Sequence, residues 1–186
     1  AVTLVASACG GGGGSEPQPG TSQVGRQGGE IAVYGCTPQN SLIPANTAEA
    51  CGGHVMDAIL AKLVEYNPDT AAPELDIAES IDTKDNQTFT VKLKPGYKFH
   101  DGTEVKAKNF VDAWNWAAYG PNAANNGYFF GPGMADVAGY ADVQNGPDPD
   151  EDGPQTAPAP AATAMSGLKV VDDHTFTVQL SQPFSQ

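Results

Sequence analysis

Three cysteines and three histidines are the side chains best suited to bind a metal in this chain. The cysteines lie at positions 9, 36 and 51, and the histidines lie at positions 54, 100 and 174. Neither of the last two cysteines has a second ligand at C-x-x-C spacing, and the histidines are scattered along the sequence. The sequence therefore predicts no metal site and no cofactor.

His100 and Asp101 are a candidate acid-base pair. They stand in the tripeptide HDG, and a lone HDG is more typical of a turn than of a catalytic site. The hydrolase patterns G-x-S-x-G and H-E-x-x-H are absent from the sequence. We interpret the tripeptide as a turn and predict that the protein is not an enzyme, with a secreted enzyme as the less favoured alternative.

The charge balance excludes one class of partner. The chain carries 22 acidic and 9 basic residues, for a net charge of -13, and would repel the phosphates of nucleic acid. Its apolar content of 40% is sufficient for a core. No run approaches the roughly 20 consecutive apolar residues of a membrane-spanning helix.

The first residues, AVTLVASACGGGGGS, resemble the lipobox of bacterial lipoproteins, with Ala6, Ser7 and Ala8 before Cys9. The resemblance implies a truncated export signal and a lipid on Cys9; the alternative is an incidental cysteine in a flexible terminus. Residues 10–29 are dominated by Gly, Pro, Ser and Gln, a composition typical of a linker. We therefore predict that residues 1–29 are a signal remnant and a disordered tether.

Export would place the remaining cysteines in an oxidising environment. Cys36 and Cys51 are then candidates for a disulfide that closes a loop of about 15 residues, worth about 3 kcal/mol in the chain-entropy model. The alternative is two separate buried thiols.

The folded part begins at about residue 30. EIAVYG at 30–35 is short, apolar and predicted to be a strand. HVMDAILAKLVEY at 54–66 places apolar residues on one face of a predicted helix of about three turns, which ends before Pro68.

Two strands of similar sequence follow. DNQTFTVKL at 85–93 returns as DDHTFTVQL at 172–180, with six of nine positions identical, and the first of them pairs with ESIDT at 79–83. We predict that both lie in one antiparallel sheet, because their apolar residues alternate with polar ones. The predicted inner face comprises Phe89, Val91, Leu93, Phe176, Val178 and Leu180.

The segment between these strands contains a second helix and long loops. From Lys106 onward, apolar residues recur at helical spacing and predict a helix that covers the sheet, with Trp116 outside the stripe as a partly exposed lid residue. Residues 121–167 are rich in loop formers. The low-complexity stretch 146–167 is predicted to be a solvated loop.

Together these features resemble the N-terminal third of the family 5 solute-binding proteins, the oligopeptide-binding receptors of ATP-binding-cassette importers. The resemblance covers residues 30–186. It rests on YGCTPQNSLIPAN, HVMDAILAKLVEY, AESIDTKDNQTFTVKLKPGYKFHDGTEVKAKNFVDAWNW and VVDDHTFTVQLSQP. It implies a mixed α/β (α+β) fold, a partial type II periplasmic-binding-protein architecture with a small antiparallel sheet domain packed against helices.

The resemblance also implies a domain division and ligand-facing residues. Residues 30–60 would begin the large lobe, and residues 61–186 would form most of the small accessory domain. The loop beneath the peptide corresponds to Ala48, Glu49, Ala50 and Cys51, and Tyr128 corresponds to an aromatic facing the cleft. For Glu49 the alternative is a solvated loop carboxylate.

The function implied is that of a lipid-anchored binding protein on the outer face of the cytoplasmic membrane, or in the periplasm, that delivers peptides to a permease and its ATPase. The family also includes receptors for nickel chelates, haem and oligosaccharides, which remain alternatives. A surface adhesin or scaffold is a third possibility.

Overall fold

The computed structural model describes residues 35–147 and 157–184. The predicted lipid site at Cys9, the tether 1–29 and residues 30–34 of the predicted first strand lie outside these ranges. Two helices and six strands follow one another along the described chain: α1 (Ala50–Ile59), β1 (Val64–Tyr66), β2 (Pro73–Leu75), β3 (Ala78–Thr83), β4 (Thr88–Leu93), α2 (Ala107–Ala118), β5 (Leu168–Asp172) and β6 (Thr175–Gln179).

An antiparallel four-stranded sheet with the order β3-β4-β6-β5 forms the centre of the fold. The two strands of similar sequence, β4 and β6, are direct neighbours in this sheet. Val91 pairs with Phe176 and Phe89 pairs with Val178. All six side chains predicted for the inner face belong to the core or pack against it, so this prediction is confirmed.

Helix α2 lies on the inner face of the sheet, as the apolar stripe predicts. The ring of Phe110 stacks on Phe176 with centroids 5.8 Å apart, and Trp114 meets Phe176 edge to face at 5.5 Å. Phe176 is fully buried, and burial of a large aromatic is a major source of stabilisation. The helix and the sheet therefore share one core.

The start of α2 is attached to the turn between β5 and β6. The Lys106 N–H donates to Asn109 Oδ1 over 2.7 Å and closes the first turn, while the Ala107 N–H donates to the Asp173 carbonyl over 2.8 Å. Lys106 Nζ also lies 2.6 Å from Asp173 Oδ2, which lowers the pKa of the Asp173 carboxyl. These contacts fix the helix relative to the edge of the sheet.

The helix predicted over residues 54–66 is wrong at both ends. Helix α1 already begins at Ala50 and ends at Ile59, and Val64 lies in strand β1, which pairs with β2. The backbone between helix and strand is fixed by tertiary hydrogen bonds: the Lys62 N–H donates to Asp76 Oδ2, and the Ile77 N–H donates to the Lys62 carbonyl. These contacts end the helix well before Pro68.

The loop predicted as solvated over residues 146–167 is buried at its end. Met165 is among the most buried side chains of the protein, and its N–H donates to Asn115 Oδ1 of α2 over 2.7 Å. Ala162 packs against the core as well, and its N–H donates to the Asp142 carbonyl. Residues 157–167 contain no helix or strand, but part of this segment covers the core, which low complexity alone does not predict.

Strand β5 forms one edge of the sheet. Beyond its first residue the strand is exposed, and Val171 has 61% of its surface accessible. Within the described residues, no helix is long and apolar enough to cross a membrane.

Candidate functional site

Cys36 and Cys51 are joined by a disulfide, with their Cα atoms 5.4 Å apart. The bond fastens residues 35–38, which have no regular secondary structure, to the first turn of α1. Two of the sequence-predicted site residues, Ala50 and Cys51, lie in that first turn, and Ala48 immediately precedes the cap residue Glu49. The predicted loop is thus the N-terminal end of a covalently anchored helix.

Glu49 is the N-cap residue of α1. Its two carboxylate oxygens each lie 2.9 Å from the Gly52 backbone nitrogen, and Oε1 also accepts from the Gln39 N–H over 3.1 Å. Hydrogen bonds from backbone N–H groups, the Gly52 contact foremost, hold the pKa of this carboxyl below its usual value. Glu49 is therefore a helix cap.

Gly52 permits this close cap. A Cβ atom at residue 52 would collide with Glu49 Oε1 and with the methyl group of Thr47. Thr47 is itself buried, and its hydroxyl lies 3.0 Å from both the Ser41 and the Ile43 carbonyl oxygens. The segment before α1 is thus held by side-chain contacts even though it has no regular secondary structure.

Tyr128, the other sequence-predicted ligand residue, lies in the short 3-10 helix Gly127–Phe130. The residue is 53% exposed, and its ring stacks on Phe129 with centroids 4.4 Å apart. Gly127 approaches the Ala117 carbonyl so closely that a Cβ there would collide with it. The segment Gly127–Phe130 is therefore packed tightly against the end of α2, and Tyr128 is exposed to solvent.

Four hydrogen bonds join the segments that immediately precede the two predicted sites. The Asn126 N–H donates to the Ala45 carbonyl over 2.9 Å, and Asn126 Nδ2 donates to the carbonyls of Pro44 and Thr47 over 2.7 and 2.9 Å. Asn125 Nδ2 donates to the Asn46 carbonyl over 2.8 Å. The structure therefore brings the segment just before Ala48–Cys51 and the segment just before Tyr128 into direct contact, although some eighty residues separate them.

A groove of about 800 Å³ opens beside these segments. Neither Ala48–Cys51 nor Tyr128 lines it, but their neighbours Ala45, Asn126 and Phe129 do. Its walls are mainly apolar and aromatic, and the most prominent side chains are Ile43, Ile59, Phe99, Trp114, Trp116 and Phe129. Trp116 is 47% exposed, as predicted for a partly exposed residue outside the buried stripe of α2.

The tripeptide HDG forms a turn, as predicted. Gly102 has φ +87°, a left-handed conformation that favours glycine. Asp101 Oδ1 accepts hydrogen bonds from the Thr103 hydroxyl and N–H over 2.6 and 2.8 Å, which lowers the pKa of its carboxyl. The Asp101 carboxylate thus stabilises the turn through these two hydrogen bonds. Among the described residues, no group of three or more His, Cys, Asp and Glu side chains could hold a metal ion.

Comparison with solved structures defines the class of fold. The chain aligns with Haemophilus influenzae OppA in complex with the peptide RPPGFSPFR at a TM-score of 0.62 and 26% identity, covering 77% of this chain and 25% of that one. It also aligns with the Escherichia coli murein tripeptide-binding protein MppA at a TM-score of 0.61 and 22% identity, covering 77% and 25%. The fold is a partial OppA-like periplasmic-binding-protein fold, with small antiparallel sheets and two helices.

Residues 72–186 match the family model described as bacterial extracellular solute-binding proteins, family 5 Middle, and the chain belongs to this family. It is 33% identical over 111 residues to the periplasmic oligopeptide-binding protein OppA of Escherichia coli, and 34% identical over 128 residues to the oligopeptide-binding protein OppA of Bacillus subtilis. These alignments cover 60% and 68% of this chain. The chain thus spans about a fifth of the length of these relatives, 18% and 23% respectively.

Sequence reasoning missed two parts of this region. The role of Asn125 and Asn126 could not be recognised in the sequence, because both side chains donate to backbone carbonyls. Every residue has a backbone carbonyl, so the sequence does not indicate which one is the partner. The groove draws its walls from several separate segments, including Ile43, Ile59 and Phe99. Trp116 and Phe129 are exposed aromatic residues and therefore indicate a possible surface site. Only the fold shows that they line the same groove.

Proposed function

We propose that this protein is the extracellular substrate-binding component of an ATP-binding-cassette importer, and that it binds oligopeptides or dipeptides and delivers them to a membrane permease. The observation that carries the proposal is the family match over residues 72–186 together with 33–34% identity to proteins described as oligopeptide-binding. The relatives are solute-binding proteins and not enzymes.

We assign peptide contact to the backbone of Ala48–Cys51 and to the ring of Tyr128. The Glu49 carboxylate already accepts hydrogen bonds at the helix cap, so the proposal gives the ligand contact to the backbone of this segment and not to that side chain. Recognition of a peptide through its backbone is compatible with many side-chain sequences. The exposed Tyr128 ring offers a flat apolar surface to one of those side chains.

The ligand class is tested by mass spectrometry of small molecules that co-purify with the protein expressed from its complete coding sequence in a bacterial host. We expect a mixture of short peptides. A nickel chelate, haem or an oligosaccharide as the sole ligand would replace the peptide assignment, and turnover of added peptide would contradict the receptor function. Capture of a protein partner without any small ligand would favour a scaffold.

The contribution of Tyr128 is tested in the same protein with a matched pair of variants. Tyr128→Ala should weaken peptide binding measured by calorimetry, whereas Met134→Ala, which also truncates an exposed apolar side chain, should not. Equal affinities in the two variants would remove Tyr128 from the site.

Lipid anchoring through Cys9 is part of the proposal and has its own test. We expect the exported protein to partition with membranes and the Cys9→Ser variant to appear in the soluble extracellular or periplasmic fraction. Identical fractionation of the two proteins would contradict an anchor at this cysteine.

A further inference from the structure

Asn126 uses all of its hydrogen-bond donors to hold the segment before α1. Its backbone N–H donates to the Ala45 carbonyl over 2.9 Å, and its side-chain nitrogen, which carries two hydrogens, donates to the carbonyls of Pro44 and Thr47 over 2.7 and 2.9 Å. Both side-chain partners are carbonyl oxygens, so only the nitrogen of the amide can face them. The Asn126 side chain therefore has one defined orientation against this segment.

The bond to Thr47 acts directly on the first residue of the proposed ligand segment. The Thr47 carbonyl and the Ala48 N–H belong to one planar peptide unit, so a hydrogen bond that fixes the carbonyl also fixes the direction of the N–H. Thr47 is only 5% exposed, and its hydroxyl is held by two further backbone carbonyls. Loss of the Asn126 side chain would free one side of this peptide unit, at the start of Ala48–Cys51.

The backbone of Asn126 supports the other proposed contact, Tyr128. Asn126 is the residue before the 3-10 helix Gly127–Phe130, and its carbonyl accepts a hydrogen bond from the Phe129 N–H over 3.2 Å. Tyr128 lies inside that turn, two residues after Asn126. One residue therefore holds the Ala48 peptide unit through its side chain and the turn of Tyr128 through its backbone.

We infer that Asn126 is a positioning residue for peptide binding, which sets the place of the Tyr128 ring relative to the backbone of Ala48–Cys51. This role rests on the proposed peptide function, because both surfaces that Asn126 joins are proposed peptide contacts. A site whose parts are already held in the bound arrangement avoids the entropic cost of ordering them when the ligand binds. The disulfide at Cys51 holds the far end of the same segment, so Asn126 supplies its second fixed point.

Calorimetric titration with the tripeptide Ala-Phe-Ala measures this role in the protein expressed from its complete coding sequence and freed of co-purified ligand. Asn126→Ala removes both side-chain bonds and should weaken binding about tenfold, because the peptide must then order the two surfaces. Asn126→Asp keeps the shape of the side chain but cannot donate when ionised, and should weaken binding at least as much.

Asn122→Ala is the matched control. It also removes a hydrogen bond from an asparagine amide to a backbone carbonyl, here that of Trp116, over 2.8 Å. This bond does not reach the segment before α1, so the affinity of Asn122→Ala should stay within about twofold of the wild type.

A double-variant cycle separates positioning from a general loss of structure. In a Tyr128→Ala background no ring remains to be placed, so Asn126→Ala should weaken binding by less than about twofold further. A loss of folding alone would reduce the affinity by the same factor in both backgrounds. Thermal unfolding of each variant checks that the folded protein is titrated.

Two results would overturn the positioning role alone. Either variant of Asn126 could bind Ala-Phe-Ala as tightly as the wild type, or Asn126→Ala could lose the same factor with and without the Tyr128 ring. In both cases binding by the wild type would leave the peptide function standing. Absence of binding by the wild-type protein would instead contradict the peptide function, and the positioning role with it.

Discussion

Val91 of strand β4 lies directly opposite Phe176 of strand β6, and both side chains are buried, at 3% and 0% exposure. The pair joins the two segments of similar sequence at the centre of the sheet. The rings of Phe110 and Trp114 of α2 pack against the ring of Phe176 and cover it. The packing of α2 on the central sheet is therefore centred on Phe176.

Truncation of Phe176 should destabilise the protein strongly. Phe176→Ala removes a fully buried ring and leaves a cavity, with an expected loss of about 3–5 kcal/mol in the free energy of unfolding. Chemical denaturation measures this loss. Val171→Ala on the exposed edge strand should cost less than about 0.5 kcal/mol, and similar losses for both variants would contradict the burial of Phe176 between sheet and helix.

Reduction of the Cys36–Cys51 disulfide should destabilise the protein. The bond closes a loop with a sequence separation of 15, for which the chain-entropy model gives about 3 kcal/mol. We expect dithiothreitol to lower the unfolding midpoint of the wild-type protein.

The double variant Cys36→Ser/Cys51→Ser is the control for that experiment. Its unfolding midpoint should equal that of the reduced wild-type protein and should not respond to dithiothreitol. A midpoint that is insensitive to reduction in both proteins would show that the bond does not stabilise the fold.

The cap at Glu49 should make stability depend on pH in a defined direction. The pKa of this carboxyl is lower in the folded protein than its usual value of 4.5, because the folded state donates hydrogen bonds to the ionised form. The resulting stabilisation is complete above the unfolded-state pKa and is lost as the pH falls through the folded-state pKa.

The variant Glu49→Gln isolates this contribution. The difference in unfolding free energy between wild type and variant should be constant at neutral pH and should shrink below about pH 4.5. Glu79→Gln, at an exposed position on β3, should have little effect at neutral pH. A difference between wild type and Glu49→Gln that grows as the pH falls would contradict the cap.

Asn126 should hold the segment before α1 in place. Asn126→Ala removes two side-chain hydrogen bonds, to Pro44 and Thr47, with an expected cost of about 1–3 kcal/mol. Hydrogen exchange at Ala45–Thr47 should accelerate. Asn125→Ala removes one such bond and should have the smaller effect; equal exchange rates in wild type and Asn126→Ala would contradict a contact between Asn126 and this segment.

Strands β3, β4 and β6 could be predicted from the sequence, because alternation of apolar and polar residues is visible within each segment; β5 was not predicted. The alternation around Phe89 and Phe176 and the stripe through Phe110 each specify an element and its buried face. The end of α1 could not be predicted, since contacts of Lys62 with Asp76 and Ile77 override an apolar spacing that suits a longer helix. The cap role of Glu49 was also missed, because it depends on the space that Gly52 leaves for the carboxylate and on the N–H of Gln39, which lies ten residues away in sequence.

The strand order β3-β4-β6-β5 has a consequence for how the molecule acquires its structure. During synthesis the β3–β4 hairpin leaves the ribosome early, and the strand that must lie beside it arrives only after α2 and the long loops have been made. Until β6 has been made, one edge of β4 is unpaired, and Val91 lacks its cross-strand partner Phe176. Sheet closure is therefore a late, long-range step, and nascent chains that stop before Thr175 should be prone to association through that open edge.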